Sequence, residues 1–143
     1  MKFVLLRSVN DIDMAKIQSV YDHFSISRFM SIDKDNYWHY ITETENVYFY
    51  KVYNHTKLVS TIHCELHDRV LHLAVAVFPE YQNMGLGVTI LKAIQNGNLD
   101  ISFDKIHASI ELQNIASRKL FEKVGFSCIG KDAELFEYEY TMV

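Results

Sequence analysis

Proline occurs once in this chain of 143 residues, cysteine twice and glycine five times. So little proline and glycine excludes a flexible linker, and no low-complexity tract or repeat interrupts the chain, which reads as a single domain, 1–143. Two cysteines cannot make a disulfide scaffold. Cys64 and Cys128 lie in apolar, strand-like stretches and read as buried free thiols, with one disulfide as the alternative. No apolar run approaches the roughly 20 residues that a membrane helix needs. The opening "MKFVLLRSVND" lacks a long hydrophobic region and a small-residue cleavage site, so it reads as a first strand rather than a signal peptide. A cytoplasmic protein without a membrane partner is the expectation. Lysine and arginine (14) are fewer than aspartate and glutamate (18), and the net charge of −4 argues against a nucleic-acid partner and suits a cationic one. With 49% hydrophobic and 13% aromatic residues, disorder is excluded.

What is present is an alternation of two periods. "KFVLLRSV" reads as a strand, and Asn10 is expected to cap a helix with Asp11 and Asp13 in its first turn. Met14, Ile17, Tyr21 and Phe24 fall on one face of that helix. "DKDNYWHYITET" predicts a second helix. The period then shortens: "NVYFYKVY" (46–53), "LVSTIHCEL" (58–66) and "VLHLAVAVF" (70–78) are strands, joined by turn chemistry at "NHTK" and "HDR". The last of the three, nearly all apolar, predicts a central strand covered on both faces. A helix from about Gly85 stops near Asn96-Gly97. "KIHASIEL" (105–112) is a strand, Asn114 caps a helix ending at Gly125, and "FSCIG" and "ELFEYEYTMV" close the chain as strands. In the last, Phe136, Tyr138, Tyr140 and Met142 alternate with Glu137, Glu139 and Thr141. The order is β-α-α-β-β-β-α-β-α-β-β, an α/β domain.

Two glycines of the five stand where a strand becomes a helix, in "QNMGLGV". Unpaired N–H groups and the positive end of the helix dipole make such a turn a ready anion site, and glycine lets the anion approach the backbone. A sharp turn with close helix packing would equally explain them, since one G-x-G step is weak evidence. One strand later comes "NIASRKLFEKVGF" (114–126).

Together these segments resemble the GNAT superfamily of acetyl-CoA-dependent N-acetyltransferases. Gln82, Gly85 and Gly87 fill the family's Arg/Gln-x-x-Gly-x-Gly/Ala signature. Asn114, Ser117, Leu120, Gly125 and Phe126 fill its Asn-x-x-Ala/Ser-x-x-Leu-Tyr-x-x-x-Gly-Phe segment. The resemblance covers essentially the whole chain. It implies a mixed, mostly antiparallel central sheet of about seven strands flanked by about four helices, with acetyl-CoA as acetyl donor. It also implies the site. The backbones of Val75 and Val77 would pair with the pantetheine amides, and the amides of Gln82, Asn83, Met84, Gly85, Leu86, Gly87 and Val88 would surround the pyrophosphate. Asn114 would bind near the pantetheine arm, and Phe121 would flank the thioester. The implied activity is acetyl transfer to a primary amine of a small molecule or a protein, by direct attack in a ternary complex; a homodimer is compatible with it.

Phe121 stands where the family usually has a tyrosine, often proposed to protonate the leaving thiolate. A thiol of pKa ~8.5 leaves readily at neutral pH, so the change weakens catalysis without forbidding it. Ser117, one turn earlier, offers a hydroxyl, and reads either as a proton donor or as a small residue packed beside the cofactor. A lysine-like amine needs more help, because its neutral form costs about 4–5 kcal/mol at pH 7. If "HDR" turns at Asp68-Arg69, Glu65 lies opposite His72 with His63 beside them, a candidate base or a polar pair on a solvated hairpin. His63, Glu65 and His67 alternate on one face, but such neighbours rarely converge on one metal, and no metal is expected. Phe24, Phe29, Tyr37 and Trp38 are candidate walls for the acceptor or ordinary helix packing. The alternative function is an acetyl-CoA-binding module that has lost catalysis.

Overall fold

A computed structural model of the chain describes residues 1–27 and 34–143. The strands are β1 (Lys2–Leu5), β2 (Val47–Asn54), β3 (Lys57–His67), β4 (Val70–Val77), β5 (Lys105–Glu111), β6 (Ser127–Lys131) and β7 (Leu135–Thr141). The helices among the described residues are α1 (Met14–Tyr21), α2 (Phe24–Ser27), α3 (Lys34–Glu43), α4 (Leu86–Gln95) and α5 (Ile115–Lys123). A 3-10 turn, Pro79–Tyr81, follows β4. The strand order is β1-β2-β3-β4-β5-β7-β6, mixed and mostly antiparallel, as expected. The chain gathers into two compact units, Met1–His63 with Val75–Gln82 and Cys64–Ala74 with Asn83–Val143.

In the first unit, Leu6, Ile17, Trp38, Ile41, Phe49 and Phe78 form the centre of a buried cluster. Trp38 is 6% exposed and meets Tyr21 and Phe49 edge-on, so packing explains it. Asn10 does not cap α1. Asp13 holds the cap position without a side-chain cap bond, because its carboxylate accepts hydrogen bonds from Lys51 and Tyr53 instead. Phe24 is not on the face of α1: that helix ends at Tyr21, and Phe24, 70% exposed, opens the separate helix α2. Phe29 lies outside the described residues.

In the second unit, β5 pairs with β7 along its whole length, from Lys105↔Thr141 to Glu111↔Leu135, while β4 lies parallel to β5. Alternation on β5 buries Ile106, Ala108 and Ile110 and leaves Lys105, His107 and Ser109 on the opposite, more exposed face. β4 departs from the expectation of cover on both faces. Leu71 and Leu73 are buried, but His72 and Ala74 are exposed, on a face that carries polar side chains from β5 and β7. Cys64 is buried, which pushes its thiol pKa up; Cys128, expected to be buried, is exposed on β6; both are free. No helix among the described residues is long and apolar enough to cross a membrane.

Candidate active site

The hairpin turn falls at Asp68 and Arg69, whose φ of 48° and 64° give the two left-handed residues of a tight two-residue loop. Such a loop sets His67 against Val70 and therefore Glu65 against His72. The register holds to the far end of the hairpin, where the Phe78 N–H donates to the Val59 carbonyl at 2.9 Å. The Arg69 guanidinium then grips Asp104 at 2.8 and 3.0 Å, fixing the start of β5 beside the start of β4. Pairing between these parallel strands runs Val70↔Lys105, Leu71↔Ile106 and His72↔His107. Val75 and Val77 lie beyond the last pair, half-buried.

His72 and His107, adjacent in that last pair, are joined side chain to side chain, with Nδ1 of each 3.1 Å apart. Nε2 of His107 is 2.9 Å from Oε2 of Glu137, and the Ser109 hydroxyl donates to the same oxygen at 2.5 Å. The His72 pKa is lowered, by burial first and then by the charges of His107 and His67, against the opposing pull of Glu65 and Glu137. The sequence reading found Glu65 and His72 but missed His107 and its contact with Glu137. The signal was available in the polar alternation of His107 with Ser109 and of Glu137 with Glu139, once β7 is known to pair with β5. His63 turns elsewhere, its Nδ1 2.6 Å from the Tyr37 hydroxyl. Among the described residues no group of three histidine, cysteine, aspartate or glutamate side chains is arranged to hold a metal.

The turn into α4 explains Gly85 by backbone conformation and Gly87 by packing. Gly85 adopts φ +78°, and a side chain there would meet nothing but would sit on strained backbone. Gly87 is a packing residue: a Cβ at this position would lie 2.8 Å from Cδ2 of Leu120 on α5. The Gln82 side chain donates to the Val77 carbonyl at 3.0 Å and bonds Ser25 at 3.3 Å, so it braces the loop from within. What remains for a ligand is the backbone. None of the N–H groups from Asn83 to Val88 has a hydrogen-bond partner among the described residues, and they end at the positive pole of a ten-residue helix. That row of amides fits a pyrophosphate.

Asn114 caps α5, its Oδ1 accepting from the Ser117 N–H at 3.3 Å, which leaves the amide nitrogen of its side chain unused by the cap. Ser117 is half-buried. Phe121, expected beside the thioester, is 3% exposed and meets Phe126 edge-on, so its ring belongs to the core. Tyr138 is 1% exposed, with its hydroxyl donating to Glu122 at 2.6 Å.

This combination of folds and motifs is that of an acetyltransferase. The Acetyltransferase (GNAT) family model matches residues 15–126, and the chain belongs to that family. Among solved structures, the spermidine N-acetyltransferase from Vibrio cholerae in complex with CoA and spermine superposes with a TM-score of 0.79 at 15% identity, over 98% of this chain and 95% of that one. The aminoglycoside N(6')acetyltransferase from Legionella pneumophila gives a TM-score of 0.81 at 12% identity, over 99% and 94%. A domain from Methanocaldococcus jannaschii gives 0.78 at 20% identity, over 98% of both chains. At such identities these likenesses establish the shared fold. No curated protein is similar enough in sequence to match.

Proposed function

We propose that the chain is one catalytic domain, 1–143, that transfers the acetyl group of acetyl-CoA to a primary amine by direct attack in a ternary complex. The observation that carries this reading is the row of amides from Asn83 to Val88, without a partner among the described residues, in a chain of the GNAT family. Bound acetyl-CoA supplies an acetyl thioester open to attack by a neutral amine. Asn83 to Val88 would hold its pyrophosphate through their N–H groups, and the backbone of Val75 and Val77, beyond the last β4/β5 pair, would take the pantetheine amides as an added strand, with the Val77 carbonyl also accepting from Gln82. The side-chain amide nitrogen of Asn114, unused by the cap, is a further hydrogen-bond donor for the arm. Glu65 and His72 are the candidate bases that take the amine's proton. No role beyond packing is assigned to Phe121.

The acceptor is a primary amine, of a small molecule in the first instance. Amine acceptors appear in the names of the spermidine and aminoglycoside enzymes, and the net charge of −4 favours a cation. Phe121 favours a second reading, an acetyl-CoA-binding module without turnover. One pair of measurements separates the two. Acetyl-CoA at 100 times Kd should stabilise the fold by ~2.7 kcal/mol, with NAD and ATP far less effective. A thioester-consumption screen over pooled amines, with mass spectrometry of products, should then show CoA release. Binding without release favours the module, and no selective stabilisation overturns the cofactor assignment.

A further inference from the structure

The polar chain on the open face of β4, β5 and β7 has its protons dictated by its end member. A carboxylate can only accept, so Nε2 of His107, 2.9 Å from Glu137, carries a hydrogen. In a neutral His107 the other nitrogen, Nδ1, is then a bare lone pair. The 3.1 Å contact between the two Nδ1 atoms therefore has His72 as donor. A neutral His72 that spends its proton on Nδ1 is bare at Nε2. That nitrogen has no partner among the described residues, and the residue is exposed.

We propose that Glu137 and His107 are positioning residues that hold His72 in its Nδ1–H tautomer and carry away the proton that its Nε2 accepts from the amine. The inference rests on the acetyltransferase reading for the identity of that amine. The location rests on that reading too: His72 lies on β4, the strand proposed to take the pantetheine arm, at the end of its pairing with β5, where it meets His107.

The proton inventory closes. The substrate ammonium gives one proton to Nε2 of His72. The Nδ1 hydrogen of His72 can then pass to Nδ1 of His107, making an imidazolium whose Nε2–H faces the Glu137 carboxylate. The neutral amine's lone pair forms the new C–N bond, the C–S bond breaks, and the second N–H proton ends on the departing sulfur. The relayed proton leaves to water at the exposed Ser109 end. Serine hydrolases orient a histidine by the same logic, with a carboxylate behind it. The charges facing His72 are His107 on β5, Glu65 and His67 on β3 and Glu137 from β7. Two of them favour its protonation and two oppose it.

The test reads nitrogen protonation directly, by long-range ¹H–¹⁵N correlation on ¹⁵N-histidine-labelled protein without ligand. Wild type should show His72 with hydrogen on Nδ1 and a bare Nε2. His107→Ala should release it to the Nε2–H form that free histidine prefers. His107→Asn, whose Oδ1 replaces the accepting Nδ1, should restore the Nδ1–H form, a rescue that a merely structural role would not give. Glu137→Gln should move the titration of His72 to lower pH. With an acetylated amine in hand, His107→Ala should lower kcat/KM at least about tenfold and displace its acid limb, with acetyl-CoA affinity unchanged. His72 found with hydrogen on Nε2 in wild type, or unmoved in His107→Ala, overturns the inference whatever the protein acetylates. The expected histidine spectra with no selective stabilisation by acetyl-CoA overturn the acetyltransferase reading instead.

Discussion

Lys51 on β2 and His72 on β4, one in each unit, stand at the centres of polar clusters that use the same kinds of groups. Lys51 is 6% exposed; its ammonium bonds Asp11 at 3.0 Å and Asp13 at 2.9 Å, and Tyr53 donates to Asp13 as well. Burial alone would lower the Lys51 pKa, but the hydrogen bonds to Asp13 and Asp11 raise it above the ordinary lysine value. Such a group never gives up its proton at working pH. His72 has solvent on one side, a single bond through Nδ1 and a lowered pKa. A cluster closed on every side fixes the fold, and one left open at a single nitrogen can exchange a proton.

The largest expected effect comes from breaking the closed cluster. Lys51→Met strands two partly buried carboxylates, which should lower unfolding free energy by about 3 kcal/mol in urea denaturation. The histidine spectra and acetyl-CoA affinity should not move. If stability is unchanged, the cluster is not what holds Asp11 and Asp13 to the sheet.

The α4 turn divides in the same way, into closed packing and open amides. Gly87→Val places its Cβ against Leu120 and should cost about 2 kcal/mol by overpacking. Adding Leu120→Ala should recover part of that cost, as a thermal-melt comparison of the single and double variants would reveal. A loss of acetyl-CoA affinity in the double variant, with the packing relieved, would mean that residue 87 touches the ligand. Smaller still is Asn114→Ala, which removes one cap and should cost about 1 kcal/mol. Ser117→Ala should cost less, because the cap bonds its backbone N–H rather than its hydroxyl.

The order of elements was legible because each strand announced its period and the hairpins carried their turn residues. The Glu65–His72 pairing was legible too, since a two-residue loop at Asp68-Arg69 fixes a register by geometry alone. Helix α2 was not: the periodic run from Met14 continues through Phe24, while α1 ends at Tyr21 with Asp22 at its C-cap. Asp11 and Asp13 were read as helix-dipole partners because their real partner, Lys51, is distant in sequence. The contact between His107 and Glu137 escaped for the same reason. Each looks like an ordinary polar residue on its own strand, and only the β4-β5-β7 order brings them together. The burial of Phe121 against Phe126 is a property of packing that no motif carries.

The smallest effect sharpens the contrast most, because the two clusters should lose stability in different pH windows. His72 has a folded pKa below its unfolded value of 6.5, so the unfolded chain binds the proton first as pH falls. Its contribution is fully present above pH 6.5 and declines from there as pH drops through the folded pKa. Asp13 also has a lowered pKa: burial opposes ionisation, but the bonds from Tyr53 and Lys51 overcome it. Its contribution is present above the ordinary carboxylate value of 3.8 and is lost only as pH falls below that. The stability difference between wild type and His72→Gln should therefore change between about pH 7 and 5, by well under about 1 kcal/mol because solvent reaches the ring. The difference between wild type and Lys51→Met should stay flat there and shrink below about pH 4 as the carboxylates protonate. Urea midpoints across pH 3–8 measure both. If the His72→Gln difference is flat throughout, the histidine's environment does not disfavour its charged form, and a base poised in its neutral state is lost with it.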